Sequence, residues 1–311
     1  MQRLVTETKL HLPSIVETFR FHDRNIYIKR DDLVDKDLSG NKFRKLYFLL
    51  QTSSSSYKRI ISYGGNQSNA MASIAALCKR KGWEFVYISK TFSHVLKVEP
   101  TGNLLSALND GMNLMEVSHE EYRDVIGSLH SATPDTRVGK HAGDLLLAQG
   151  GADTGAKEGI AVLAEEIAQW QKEQRIKNLT LVTPSGTGTT AYFLARSLPK
   201  VDVLTTPLIG TSHYLKEQMN FLGSIPNNLS IIDTTKKFHF GKPYREFYAN
   251  YQALLLQNIE IDLLYAPKTL LMLSEEMKKI NGDILYVHSG GVLGNSSMLA
   301  RYKHKGLTTL I

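Results

Sequence analysis

Six short β-rich runs alternate with amphipathic helical patterns, and this alternation restricts the chain to few folds. The candidate strands are residues 25–30 (NIYIKR), 59–63 (RIISY), 84–89 (EFVYIS), 179–184 (LTLVTP), 201–206 (VDVLTT) and 284–288 (ILYVH). Helical spacing of apolar residues is predicted over 42–51, 69–81, 155–172, 189–198 and 268–280. Apolar strands joined through helices call for parallel sheets covered by helices on both faces. With 311 residues the chain can form two lobes or one large α/β domain. The polar tract QTSSSSYK (51–58) and the glycine-rich LLAQGGADTG (146–155) are shifts in composition. They predict a smaller α/β lobe over 51–150, inserted into a larger one built from 1–50 and 151–311. No internal repeat is visible.

Composition removes several function classes. Apolar residues make up 42% and charged residues 22%, as in an ordinary globular protein with a core. No run reaches the roughly 18 apolar residues of a membrane helix. The opening MQRLVTETKLHLP lacks the apolar centre of a secretory signal, so a cytoplasmic location and no membrane partner are expected. Cys78 is the single cysteine, which excludes an intrachain disulfide and a cysteine-rich zinc site. Its place on the apolar side of SIAALCKRKG predicts a buried thiol. The net charge of +7 is dispersed, and its densest run, Lys79-Arg80-Lys81, abuts Gly82 at a helix end. Basic stripes interleaved with stacking aromatics are missing, so no nucleic-acid partner is expected and the charge favours small anions.

Ligands of open α/β sheets bind where strands end and helices begin. Three such loops stand out. In LVTPSGTGTTAYFLARSL, a strand runs into Ser185, Gly186, Thr187, Gly188, Thr189 and Thr190, then into a helix. Glycines let amides converge, hydroxyls add donors, and the helix start adds positive potential, a combination suited to phosphate. The nucleotide P-loop signature is missing. The loop does fit a loose dinucleotide fingerprint, but the acid expected at the end of the next strand is instead Asp202 at its beginning. In ISYGGNQSNAMA, Gly64 and Gly65 precede Asn66, Gln67, Ser68 and Asn69 at a helix start, where one N-cap would need only one polar residue. Such a loop can hold a carboxylate. In ILYVHSGGVLG, a strand delivers Ser289 and a Gly-Gly turn.

Lys42 lies in DLSGNKFRKLYFLL, where Phe43, Leu46, Tyr47 and Leu50 follow helical spacing and place it on the first turn. The field of a helix start favours the neutral amine, which is the form that Schiff-base chemistry needs.

These segments together resemble the pyridoxal-phosphate (PLP) enzymes of the tryptophan-synthase-β type, in the branch of 1-aminocyclopropane-1-carboxylate (ACC) deaminase and D-cysteine desulfhydrase. IKRDDL…LSGNKFRKL, GGNQSNAMASIAALCKRKG, LLAQGGADTGAKEG, SGTGTTAYFLA, IDLLYAPK and ILYVHSGG match the branch's blocks in order, over about residues 28 to 291. The resemblance implies fold-type II: two open, twisted, mostly parallel sheets with the active site between two domains. It implies that Lys42 carries PLP through a Schiff base and moves protons at the substrate Cα. Ser185, Gly186, Thr187, Gly188, Thr189 and Thr190 would hold the phosphate, Asn69 the O3′ oxygen, and Ser289 the pyridine nitrogen. Asn66, Gln67, Ser68 and Tyr265 would face the substrate, with Ser68 and Tyr265 catalytic. A homodimer is also implied.

Where ACC deaminases carry an acid after the tyrosine, this chain has Ala266; Ala70 and Ala72 replace further polar residues of the branch. The reading is therefore a lyase or deaminase of a small amino acid. D-cysteine leads as substrate, giving a 2-oxo acid, ammonia and sulfide, and ACC deamination is the alternative. From other classes, a PLP-binding protein without turnover and an NAD-dependent oxidoreductase using the 186–191 glycines stay open.

Overall fold

The computed structural model describes residues 12–38, 40–130, 142–288 and 290–308. Its strands are β1 (Val16–Phe21), β2 (Arg24–Lys29), β3 (Arg59–Tyr63), β4 (Glu84–Lys90), β5 (Met112–Val117), β6 (Asp144–Leu146), β7 (Leu179–Ser185), β8 (Asp202–Pro207), β9 (Leu229–Ile231) and β10 (Asp283–Val287). One sheet of six runs β1-β2-β10-β7-β8-β9, and a second of four runs β5-β4-β3-β6. Only the β1–β2 pair is antiparallel. The four-stranded sheet draws on residues 59–146 alone, whereas the larger sheet takes its strands from before and after that span.

Alternation along the central strands explains the layers. In β10, Ile284 and Tyr286 enter one core with Phe247, Leu270 and Tyr302. Leu285 and Val287 enter the opposite core with Leu163, Ile167 and Leu194. A strand buried on both faces needs apolar residues in its buried stretch, and Ile284, Leu285, Tyr286 and Val287 supply them. The smaller sheet has its own core, in which Ile60, Phe85 and Tyr87 pack on Ile74, Leu77 and Cys78. Cys78 is buried and its thiol pKa is raised by that burial, so it is inert, as expected.

The predicted strands recur within a residue or so, and the helix Asn69–Lys81 matches its prediction. The helix expected over 42–51 does not run through. It breaks at Leu46 (φ −96°, ψ 5°) into Asn41–Lys45 and Tyr47–Gln51. The apolar spacing carries across the break because both pieces pack on the same core.

Two features fix the Lys42 segment. Parallel register sets Val287 beside Lys29 and Tyr286 beside Val182, so the chain leaving β2, β10 and β7 emerges on one edge. The long helix Ala156–Glu173 then crosses the Lys42 helix at Gly159. A Cβ there would stand 2.1 Å from the Arg44 carbonyl oxygen, so glycine persists despite its helix cost of about 1 kcal/mol.

Candidate active site

Gly40 precedes the Lys42 helix with φ +61° and ψ −135°, a conformation that favours glycine. The loop before it is clasped by Asp35, which accepts from the Asp37 and Leu38 amides at 2.9 Å each and from both terminal nitrogens of Arg80 at 2.6 and 2.8 Å. Lys42 is 8% exposed, and its Nζ donates to Asn41 Oδ1 at 2.7 Å. Burial lowers its pKa to about 8, and the nearby charge of Asp262 opposes that shift. Desolvation, not a helix dipole, is the main cause, since this helix has only five residues.

A second amine joins it. Lys45 is 4% exposed, and its Nζ lies 3.3 Å from the Gly150 carbonyl and 3.4 Å from Thr187 Oγ1. Among the described residues no carboxylate pairs with it, and burial, then Lys42, pulls its pKa well below the ordinary value. Nothing local in the sequence sets Lys45 apart from the other lysines. Its i+3 spacing from Lys42 was visible, but only the fold brings it to the Thr187 loop.

That loop is built as expected in most respects. Gly188 takes φ +78° ahead of the helix Thr189–Ser197, and a Cβ on it would strike Met219 at 2.5 Å. Thr190 Oγ1 is buried without a partner, whereas Thr187 and Thr189 share a contact of 2.9 Å. Ser185 differs. Thr205 Oγ1 stands 2.7 Å from the Thr183 carbonyl and 2.6 Å from Ser185 Oγ. A carbonyl cannot donate and a hydroxyl has one proton, so the Ser185 proton is spent on Thr205. Its hydroxyl therefore ties β7 to β8 and leaves the open donors to Thr187, Thr189 and Thr190.

In the Gly64–Asn69 loop, Ser68 caps the helix Asn69–Lys81 by accepting from the Met71 amide, and its hydroxyl meets the buried phenol of Tyr87. Asn69 Oδ1 receives Asn103 Nδ2 at 2.6 Å, which turns the Asn69 NH₂ away as a free donor. Asn103 is itself held by the Gln67 carbonyl at 3.0 Å. Gln67 does not share the open side: its side chain bonds the Asn103 amide at 3.1 Å and the Thr101 carbonyl at 3.0 Å. Asn66 stays half-buried at the mouth. No sequence signal marked Asn103, because its partner lies 34 residues away.

The last wall comes from IDLLYAPK. Asp262 is buried and accepts from the amides of Leu264, Tyr265 and Ala266 at 3.0, 2.5 and 3.2 Å, so it holds the turn that leads into the helix Ala266–Glu276. Burial raises its pKa, although His288 and these amides pull the other way. Tyr265 stands at that helix start, with Cε1 3.8 Å from the place of a Cβ on Gly186. Burial, then Asp262, raises its phenol pKa. Ala70, Ala72 and Ala266 are all buried, and their methyl side chains bring neither charge nor hydrogen-bonding groups. His288 Nε2 accepts the Asp262 amide at 3.2 Å, which puts its proton on Nδ1, 2.8 Å from Asp32. Asp32 in turn is gripped by Arg30 and has its pKa lowered to about 2: burial works against this, and His288 and Arg30 outweigh it. Ser289 lies outside the described residues.

No protein-family profile matches the chain. Among curated proteins it is 24% identical over 290 residues to a provisionally named 1-aminocyclopropane-1-carboxylate deaminase of Thermotoga maritima, covering 87% of this chain and 89% of that protein. It is 28% identical over 290 residues to D-cysteine desulfhydrase of Yersinia enterocolitica, covering 86% and 87%. Among solved structures, an ACC deaminase homologue superposes with a TM-score of 0.73 at 20% identity, over 93% of each chain. The fold is thus the two-sheet arrangement expected, with two open parallel-rich sheets flanked by helices.

Proposed function

We propose that this chain is a PLP-dependent lyase that eliminates a β-substituent from a small amino acid, with D-cysteine the first substrate to try. The observation that carries the reading is the pairing of Lys42, buried with a pKa near 8, with a phosphate-shaped turn whose Thr190 hydroxyl is buried and unpartnered. Lys45 adds a second buried amine, with no carboxylate partner among the described residues, beside the same turn, and a phosphate held there would favour its charged form. The curated relatives named above support the same chemistry.

These residues fit the cofactor. Amides and hydroxyls of residues 186–190, with Lys45, would hold its phosphate. The free NH₂ of Asn69 would meet a ring oxygen, and Tyr265 would bound one side. When bound, PLP supplies an aldehyde for amines and a ring that delocalises the electron pair left at Cα. The amides of residues 65–67 and the Asn66 side chain would receive the substrate carboxylate. Lys42, neutral in half its molecules near pH 8, takes the Cα proton. The buried walls exclude water, so the proton stays on the amine until the β-substituent has left. With D-cysteine and one water the products balance as pyruvate, ammonia and hydrogen sulfide.

The test is an absorbance spectrum of protein loaded with PLP, followed by sulfide and 2-oxo-acid assays over D-cysteine, L-cysteine, D-serine and ACC. Sulfide from D-cysteine supports the reading. Turnover of ACC alone moves it to the deaminase, and a loaded protein inert toward all four is a binder without turnover. NADH binding in place of PLP would return the loop to the oxidoreductase alternative.

Two variants probe the holding residues. Lys45→Met is expected to weaken PLP binding about 10- to 100-fold, the usual worth of a hydrogen bond to a charged group. A spectral titration checks it, and a change under threefold would remove Lys45 from the phosphate site. Asn103→Asp sets an acceptor against Asn69 Oδ1, so the Asn69 amide must flip and turn its oxygen toward the cofactor. Affinity for PLP should fall about tenfold, as much as in Asn69→Ala. Unchanged affinity would show that Asn103 does not orient Asn69.

A further inference from the structure

We propose that the cleft beside the Gly64–Ser68 loop is a subsite for an anionic β-substituent, so that the preferred substrate is larger than cysteine and its leaving group carries a carboxylate or similar anion. This rests on the elimination reading above and names the substrate class for the same site. The cleft measures about 390 Å³, and its polar lining includes Asn66, Ser89, Lys90, Thr91, Tyr122 and Gln149. That volume is within the range of pockets that take whole small ligands, far more than a thiomethyl group requires.

The cleft is continuous with the candidate site. The Gly64 amide donates to the Ile88 carbonyl at 3.1 Å, which carries the β3–β4 register forward and sets Gly65 next to Ser89 and Lys90. A Cβ on Gly65 would meet nothing within 4 Å, so this side of the loop is open. Gln149 packs on Gly64, with Cγ 3.5 Å from the place of a Cβ there, and the carbonyl of its neighbour Gly150 accepts from Lys45. One wall therefore runs from the cleft to the turn at Thr187.

The charge in the cleft is positive. Lys90 ends β4, with its amine 5.1 Å from the Tyr122 ring centroid and 3.5 Å from His119 Nε2. Among the described residues no carboxylate lies within salt-bridge distance of Lys90. An ammonium held by a ring face and lacking a counter-ion offers an anion one strong contact. Asn66, Ser89, Thr91 and Gln149 supply neutral hydrogen bonds around it. A neutral substituent could use only these.

The test compares S-carboxymethylcysteine with S-carbamoylmethylcysteine, which differ in charge and hardly in shape, each as D and L isomers. In both, the Cα proton goes to Lys42 and the Cβ–S bond breaks. The electron pair leaves on the thiolate, and water completes pyruvate and ammonia. With the PLP-loaded enzyme, kcat/KM for the carboxymethyl compound should exceed that for the amide about tenfold, with D-cysteine slower than either. Lys90→Met should abolish this preference and leave D-cysteine turnover within twofold, while Lys90→Arg should keep it. Titration of the bound cofactor's absorbance with the same two compounds gives an activity-free readout, and the affinities should differ in the same sense. A protein that handles D-cysteine but separates the two compounds by less than twofold, or whose preference survives Lys90→Met, overturns the subsite and leaves the elimination reading intact. A protein that takes up no PLP overturns both.

Discussion

Lys42→Ala should fold normally and lose turnover by about 10⁴-fold or more, because the general base and the cofactor's covalent anchor vanish together. The visible band of PLP bound to a lysine should be missing in the variant even where the cofactor still binds. Stability should move the opposite way from activity. The buried amine titrates near pH 8, against 10.5 for a free lysine. The unfolded chain thus binds the proton more tightly, and wild-type stability rises with pH between those values and is flat below 8. Holding that proton below pH 8 costs the folded state about 3 kcal/mol. The alanine variant escapes this cost, so its melting temperature relative to wild type should be higher at pH 7 than at pH 10. Turnover surviving the substitution would remove Lys42 from the chemistry. A melting difference independent of pH would show that the amine is not buried in solution.

How much of this was legible in the chain follows from the range of each interaction. β3, β7 and β10 are short apolar runs bounded by turn residues, and local pattern sufficed for them. β6 and β9 have three residues each, too few to show a period, and β1 and β5 are edge strands with half-exposed faces. The glycine loops were legible because backbone freedom is written in the residue type. What individual side chains do there was not. Ser185 and Gln67 have the right chemistry in the right loops, yet Thr205 and the Thr101–Asn103 turn engage them. Lys45, Asn103 and Asp262 gain meaning only from neighbours supplied by other elements. Lys42 is the mixed case: its position was readable, but the cause of its lowered pKa is burial that only the assembled fold provides.

The same logic gives the largest expected effect on stability, at Arg44, two residues beyond Lys42. Its guanidinium is completely buried and bonds Asp31 at 3.1 and 2.9 Å and Glu166 at 2.8 and 2.9 Å. Lys29 completes the cluster with 2.7 Å to Glu166 and 2.6 Å to the Ser14 carbonyl. Two cations thus balance two carboxylates, and the cluster joins the end of β2, the Lys42 helix and the long helix that crosses it at Gly159. Arg44→Ala leaves one buried negative charge uncompensated and should cost about 3–5 kcal/mol, enough to lower the melting temperature by ~10 °C. The stranded carboxylate should bind a proton more readily when folded, so the variant's deficit should shrink as pH falls toward 5. Arg44→Met combined with Glu166→Gln removes one charge of each sign and leaves Lys29 with Asp31. The pair should cost less than the sum of its single variants by about 0.5–3 kcal/mol. Because the arginine and Lys42 share one five-residue helix, Arg44→Ala should also weaken PLP binding at temperatures where the protein is still folded. Strictly additive substitutions, or a loss under about 1 kcal/mol for Arg44→Ala, would mean that the cluster does not act as a unit. The Lys42 helix would then be held by its apolar side and Gly159 alone.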